Sequence, residues 1–315
     1  MKDTRIIQEL IKEHIDLNKK YDGEILEFEK EDGYDVYNCS IPFVFENETY
    51  IFGRVERREL WASSYTRLFK LDKTTGVFMA TDSTYPLEDP SITYIDDEMI
   101  LIGTYVIKDG SKIVTYNNRF YRGYDPFNLK HFADGPDYMK DIRILKLSSG
   151  KIGIFSRPRN DEVTKCYGTV SQIGYTEVDS LEDITPEAIE NAKLIPNLFA
   201  NMEWGGVNEC FELKNNLIGI IGHHSYSEYI NDVDHPVYTN VSYVYDSKNN
   251  TYLDKKVIGI KEDYGKVDAK LDQLDRVAFT SGIVPIGNNK VRLYSGLCDS
   301  SEGYIVIDDP FINYR

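Results

Sequence analysis

The sequence has no excess of positive charge. Across 315 residues, 52 Asp and Glu outnumber 36 Lys and Arg, giving a formal net charge of −16. A nucleic-acid or anionic-membrane partner needs a basic face, so neither is expected, and an anionic ligand would have to bind in a local basic pocket. Cysteine is sparse: Cys39, Cys166, Cys210 and Cys298 are scattered with no Cys-x-x-Cys pair. That spacing argues against a zinc site or a disulfide framework and points to a reducing, cytoplasmic setting. No apolar run approaches the ~20 residues of a membrane span. The charged start from Lys2 argues against a signal peptide. Gly-x-Gly-x-x-Gly and P-loop patterns, the usual marks of nucleotide binding, are missing.

Tyrosine is abundant, with 24 Tyr against 2 Trp. It favours strands and also lines sugar-binding surfaces. Residues 1–20 read as one amphipathic helix, with Ile6, Ile7, Leu10, Ile11 and Ile15 on one stripe. This segment, taken as 1–22, is expected to pack on the domain, the alternative being a homo-oligomer contact. A second helix is predicted from Ser180 to about Leu194, opening on a loose capping signal.

Almost everything else reads as short strands, and the strands repeat. Each repeat is a polar motif, a strand, a tight polar turn, a second strand and another polar motif. The hairpins cover 41–53, 91–103, 144–155, 210–222 and 277–296. Their turns carry Asn, Asp, Gly, Ser or Lys, as tight β-hairpins require. The two ends of a hairpin lie side by side opposite its turn, so the flanking polar motifs all fall at matching ends. Radial placement then brings them around one axis. The fold expected is all-β, a five-bladed β-propeller over 23–315 with a short N-terminal helix. A β-sandwich of unrelated hairpins would leave the matching polar ends unexplained.

The rim so assembled holds Arg54, Glu56, Asp89, Lys140, Asp141, Arg143, Arg157, Arg159, Asn208, Glu209, His223 and Asp299. Carboxylates can bind sugar hydroxyls and give protons, while Arg, Lys and His suit phosphate. Asp89 is the candidate general acid: Pro90 stiffens its backbone, and neighbouring Glu88 is expected to raise its pKa by like-charge repulsion.

Eight segments carry a family resemblance: GRVERR (53–58), LEDPSIT (87–93), KDIRI (140–144), GIFSRPR (153–159), EWGGVNE (203–209), IGIIGHHS (218–225), VAFTSG (277–282) and LYSGLCD (293–299). In this order they resemble the family 130 glycoside phosphorylases. The resemblance is closer to glycosyltransferase family 108, the β-1,2-mannan phosphorylase/mannosyltransferases. It implies inverting chemistry on β-mannosides with Asp89 as the single catalytic acid. It suggests phosphate contacts at Lys140, Arg157, Arg159 and His223. It suggests sugar contacts at Arg54 and Glu56, and places a closing motif at Tyr294 to Asp299; Asp141 and Asn208 join the substrate set. Ser91 stands where the larger phosphorylase family has Arg.

One acid plus a basic cluster suffices for phosphorolysis, because phosphate is already anionic and needs only positioning and charge neutralisation. The partners expected are therefore an oligosaccharide and phosphate, the latter a co-substrate, with no cofactor. A sugar-nucleotide-dependent mannosyltransferase would use the same basic cluster for a diphosphate. An inverting hydrolase would pair Asp89 with a carboxylate such as Asp141, Glu209 or Asp299. A non-catalytic binding propeller stays open, since fold does not fix activity. No metal is expected: adjacent His223 and His224 point to opposite faces of a strand.

Overall fold

The computed structural model describes residues 4–60, 63–110 and 112–315. Five antiparallel sheets form a ring, a five-bladed β-propeller. The first blade pairs Tyr34–Tyr37 and Phe43–Phe45 with Glu48–Arg57, then adds Ser64–Leu71 and Phe78–Tyr85. The second is Glu88–Ile95, Glu98–Asp109, Lys112–Gly123 and Lys130–Asp134. The third is Arg143–Lys146, Ile152–Ser156, Gly174–Val178 and Lys193–Leu194. The fourth is Trp204–Glu212, Leu217–Ile230, Val233–Asp246 and Thr251–Gly259. The fifth is Ala278–Gly287, Lys290–Leu297 and Ser301–Asp308, completed by Gly23–Ile25 from the other end of the chain. That last pairing closes the ring and covers an edge that would otherwise stay open.

The turns explain the hairpins. Glu46-Asn47, Asp96-Asp97, Asn231-Asp232 and Asn288-Asn289 are successive left-handed pairs with φ between 48° and 65°. Two central residues at positive φ define the turn whose twist matches a hairpin, and Asn and Asp tolerate it best. Blade faces then stack. Phe52, Leu68, Tyr85, Leu101 and Tyr121 fill the gap between the first two blades. Phe155, Tyr175, Val207, Ile220 and Tyr245 fill that between the third and fourth. At about 25 cal/mol per Å² of apolar area buried, these gaps are the main source of cohesion.

The N-terminal helix is shorter than its pattern, Ile7–Asp16. Ile7, Leu10, Ile11 and His14 are its buried residues, and the three apolar ones pack on Tyr226, Val237 and Val257 of the fourth blade. Ile6 and Ile15 are exposed, contrary to the five-residue stripe. His14 takes the place given to Ile15, pairing with Asp263 at 2.7 Å. The helix predicted at 180–194 is also corrected. Leu181–Asp183 is a single 3₁₀ turn, Pro186–Glu190 a short helix, and Lys193–Leu194 the outer strand of the third blade. Pro186 holds Thr185 extended, so a helix must restart after it, capped by Thr185 accepting from the Ala188 N–H. A helix the sequence reading missed, Asp161–Tyr167, is capped by Asn160 and ends on Gly168 at φ 70°. No described helix is long and apolar enough to cross a membrane. All four cysteines are free.

Candidate active site

Inner strands of the first three blades are each preceded or opened by a left-handed residue: Asn38 (φ 45°), Asp89 (φ 50°) and Asp141 (φ 61°). Asn and Asp are the non-glycine residues that tolerate this conformation best. Asp89-Pro90 falls where the ladder shifts between Glu88 and Ser91, and Asn208 where it shifts between Val207 and Glu209. Bulges of this kind re-aim side chains, and Pro90 within one costs no ladder hydrogen bond.

Asp89 is the centre of the arrangement. Its Oδ1 accepts from Asn38 Nδ2 at 2.9 Å and from Arg54 Nη1 at 2.9 Å, and its Oδ2 lies 3.8 Å from Lys140 Nζ. Burial pushes its carboxyl up, but Arg54, Lys140 and the Asn38 hydrogen bond together bring it below the usual range. The expectation that Glu88 raises it is corrected: Glu88 instead accepts from Ser64 and lies 3.6 Å from Arg54. Asp89 is thus a carboxylate in the free protein. Arg54 also reaches Glu56 at 3.2 Å and stacks over Tyr37, its carbon 5.0 Å from the ring centre.

A cavity of about 440 Å³ opens over this group. Asn38, Arg54, Glu88, Asp89, Lys140, Arg159 and Asp299 give its lining polar groups, and Tyr238, Phe279, Leu274 and Val277 add aromatic and apolar surface. A lining that combines charged groups with aromatic surface suits a sugar ring. Two hairpins rise beyond the inner strands on this side. The second blade's hairpin continues past the Glu88–Thr104 pair, and the fourth's past Trp204–Ser225. From them Val106, Ile113, Tyr116 and Pro236 reach the cavity.

Of the candidates, Arg54, Asp89, Lys140, Arg159 and Asp299 meet at this cavity. Glu56, Asp141, Arg157 and His223 are not among its lining residues. Glu56 is buried, accepting from Tyr37 Oη and paired with Lys270. Asp141 pairs with Arg157 at 2.9 Å, and Arg157 Nε also donates to the Gly205 carbonyl at 2.6 Å. His223 is buried against Asn208, its Nδ1 2.8 Å from Asn208 Oδ1. Asn208 itself lines a separate cavity of about 520 Å³ with Arg143, Glu209 and Phe43. Burial, joined by Arg157, Lys140 and Arg143, pulls His223 down to about 3, so it is neutral and adds no positive charge. Neither Arg157 nor His223, expected as phosphate contacts, is among the residues that line the cavity of Asp89. His223 Nε2 is nevertheless buried without a hydrogen-bond partner among the described residues.

Tyr294 is placed away from the site. It packs on Tyr304 at 5.3 Å between ring centres and lines a side cavity with Glu24 and Phe43. It lies in the middle of a second strand, whereas Asp299 lies beyond that strand's end. Residues missed by the sequence reading are Asn38, Lys270, Tyr238 and Phe279. Asn38 was findable, because it holds the position in its repeat that Asp89 holds in the next. Lys270 belongs to no repeat and gave no signal. His223 faces Asn208 while His224 bonds Glu203 at 2.7 Å on the other face. Among the described residues no group of three or more His, Cys, Asp or Glu is placed to hold a metal ion.

A five-bladed propeller with a carboxylate set among cations at one mouth defines a class of carbohydrate-active proteins. The chain belongs to the family described as protein of unknown function DUF1861, whose model matches residues 13–313. Among solved structures, a mannose phosphorylase from Leishmania mexicana in complex with phosphate ion is 39% identical, with TM-score 0.88, over 97% of this chain and 93% of that one. A GDP-Man-dependent mannosyltransferase from Leishmania mexicana is 36% identical, with TM-score 0.88, over 97% of this chain and 95% of that one. These relatives are of glycosyltransferase family 108, so the resemblance drawn from the eight segments holds. The β-1,2-mannobiose phosphorylase from Listeria innocua, 14% identical with TM-score 0.62 over 90% of this chain and 93% of that one, shares the fold. The comparison with curated proteins found no match.

Proposed function

We propose that this enzyme is a mannoside phosphorylase that moves a mannosyl group between phosphate and the end of a β-1,2-linked oligosaccharide, with inversion. The observation that carries the reading is the ionised Asp89 held by Arg54 and Lys140, with Arg159 at the same mouth. In synthesis, the acceptor hydroxyl oxygen attacks C1 of α-mannose 1-phosphate. Its proton passes to Asp89, directly or through a sugar hydroxyl, and the C1–O bond to phosphate breaks with its electron pair on the departing phosphate. Lys140 and Arg159 neutralise that group. In phosphorolysis the same proton returns to the bridging oxygen as phosphate attacks C1. Inorganic phosphate is then the co-substrate, and no cofactor is needed. The free cysteines fit work in the cytosol.

A GDP-mannose donor is the second reading, supported by the likeness to the Leishmania transferase. One set of incubations separates them: purified protein with β-1,2-mannobiose, with and without phosphate, and with GDP-mannose. Mannose 1-phosphate formed only with phosphate supports the phosphorylase. Transfer only from GDP-mannose sinks it in favour of the transferase, and free mannose without phosphate means a hydrolase.

A further inference from the structure

Asp299 lines the cavity from the fifth blade. It sits in a turn where Cys298 and Asp299 are both left-handed, at φ 55° and 51°. They lie in the hairpin turn that joins Lys290–Leu297 to Ser301–Asp308, where such pairs are ordinary, and the turn carries the Asp299 side chain to the cavity. The turn is pinned by the Cys298 N–H donating to the Val277 carbonyl at 3.0 Å and by the Lys270 N–H donating to the Cys298 carbonyl at 3.0 Å. Among the described residues the Asp299 carboxyl has no hydrogen bond or ion pair, although it lines the same cavity as Asp89.

The ionisable groups that act on it electrostatically are Arg54, Glu56 and Tyr37 from the first blade, Asp89 from the second, Lys270 from the segment before the fifth, and its neighbour Cys298. Burial chiefly, helped by Asp89 and Glu56 and opposed by Arg54 and Lys270, pushes its carboxyl up to about 6. Two carboxyls of one cavity are therefore driven apart. Asp89 is tied to donors and stays charged; Asp299 is untied and holds a proton more readily. Environments that separate two titrating groups in this way assign their roles.

We propose that Asp299 is the proton store of the site, supplying through a sugar hydroxyl or one water the proton that Asp89 must carry for phosphorolysis. The inference rests on the reading of Asp89 as the proton-transfer group. Asp299 gives its proton to the bridging hydroxyl, which passes its own to Asp89. Asp89 then protonates the glycosidic oxygen as the C1–O bond breaks with its electron pair on that oxygen, and a phosphate oxygen bonds to C1. Asp299, left as a carboxylate, regains a proton from solvent. In synthesis each transfer runs backward. Asp299 acts through Asp89 and not on C1.

The test combines pH profiles with direct titration. With β-1,2-mannobiose and phosphate, wild-type kcat should fall as pH rises through about 6, the protonated Asp299 being lost. Asp299→Asn should lower kcat by about 10²-fold and remove that limb, with KM little changed. A raised KM with the limb intact would mean a sugar contact only and overturn the proposal. In protein labelled with ¹³C at aspartate carboxyls, one signal should titrate near 6, vanish in Asp299→Asn and titrate lower in Asp89→Asn. A signal at the ordinary carboxylate value, or one indifferent to Asp89→Asn, overturns it whether or not mannosides are turned over. Absent turnover of mannobiose with these signals in place would instead count against the functional reading.

Discussion

Asn38 and Asp89 occupy equivalent left-handed positions in neighbouring blades, and the Asn38 amide donates to the Asp89 carboxylate at 2.9 Å. The repeat thus places a backbone-tolerant donor beside the group whose charge it stabilises. Gly296, in the fifth blade, passes so close that an added Cβ would meet Asn38 Oδ1 at 2.0 Å. Blades one, two and five therefore meet at one side chain.

That contact gives the first prediction. Gly296→Ala must displace Asn38 and free Asp89 of its neutral donor. Turnover should drop at least tenfold, and overpacking should cost roughly 1–3 kcal/mol of stability. Unchanged kinetics with a normal melting curve would show that Asn38 does not set the state of Asp89.

Asp89→Asn should reduce turnover in both directions by about 10²–10⁴-fold. Circular dichroism should show the fold retained. Near-normal activity would remove Asp89 from its role.

The two arginines of Ser156-Arg157-Pro158-Arg159 should behave differently. Arg159→Ala should raise the KM for phosphate more than that for mannoside, with an unchanged melting temperature. Arg157→Ala strands the buried Asp141 carboxylate without its partner, and breaking such a pair costs about 3–5 kcal/mol. Equal effects of the two substitutions on phosphate KM and on melting would contradict their separate placements.

Stability should also carry a pH signature away from the site. Glu302 is fully buried, accepting from the Cys39 N–H at 2.9 Å and from Ser281 Oγ at 2.7 Å. Burial pushes it up to about 8. A carboxyl raised on folding contributes stability that is full below its unfolded pKa of about 4.3 and is lost as pH rises through the folded value. The melting temperature should therefore decline between about pH 4.5 and 8 on its account. Glu302→Gln should flatten this decline, and calorimetry at pH 5, 6.5 and 8 measures it. An identical slope in the variant would assign the decline elsewhere.

The ring was readable because the same local grammar recurs five times: turn residues at positive φ, apolar alternation, and polar tips at one end. Asp89, Lys140, Arg159, Arg54 and Asp299 were readable for the same reason. Depth was not. Whether an arginine at a tip lines the cavity depends on which blade's carboxylate or carbonyl meets it, as Asp141 and Gly205 meet Arg157. Periodicity within one strand carries no trace of that. The state of Asp89 was misjudged for a related reason: its neighbour in sequence, Glu88, turns toward Arg54 and Ser64, while its neighbours in space come from other blades. Tyr294 failed because a motif carried its position along the strand and not its facing. The helix predicted over 180–194 failed at Pro186, a local signal that outweighs the composition around it.

The strand Gly23–Ile25 pairs with Ser301–Asp308. These segments are nearly 280 residues apart, so the contact that seals the circle closes a far longer loop than any hairpin within a blade. A chain lacking residues 301–308 would keep every residue that lines the cavity yet leave Gly23–Ile25 without its partner strand.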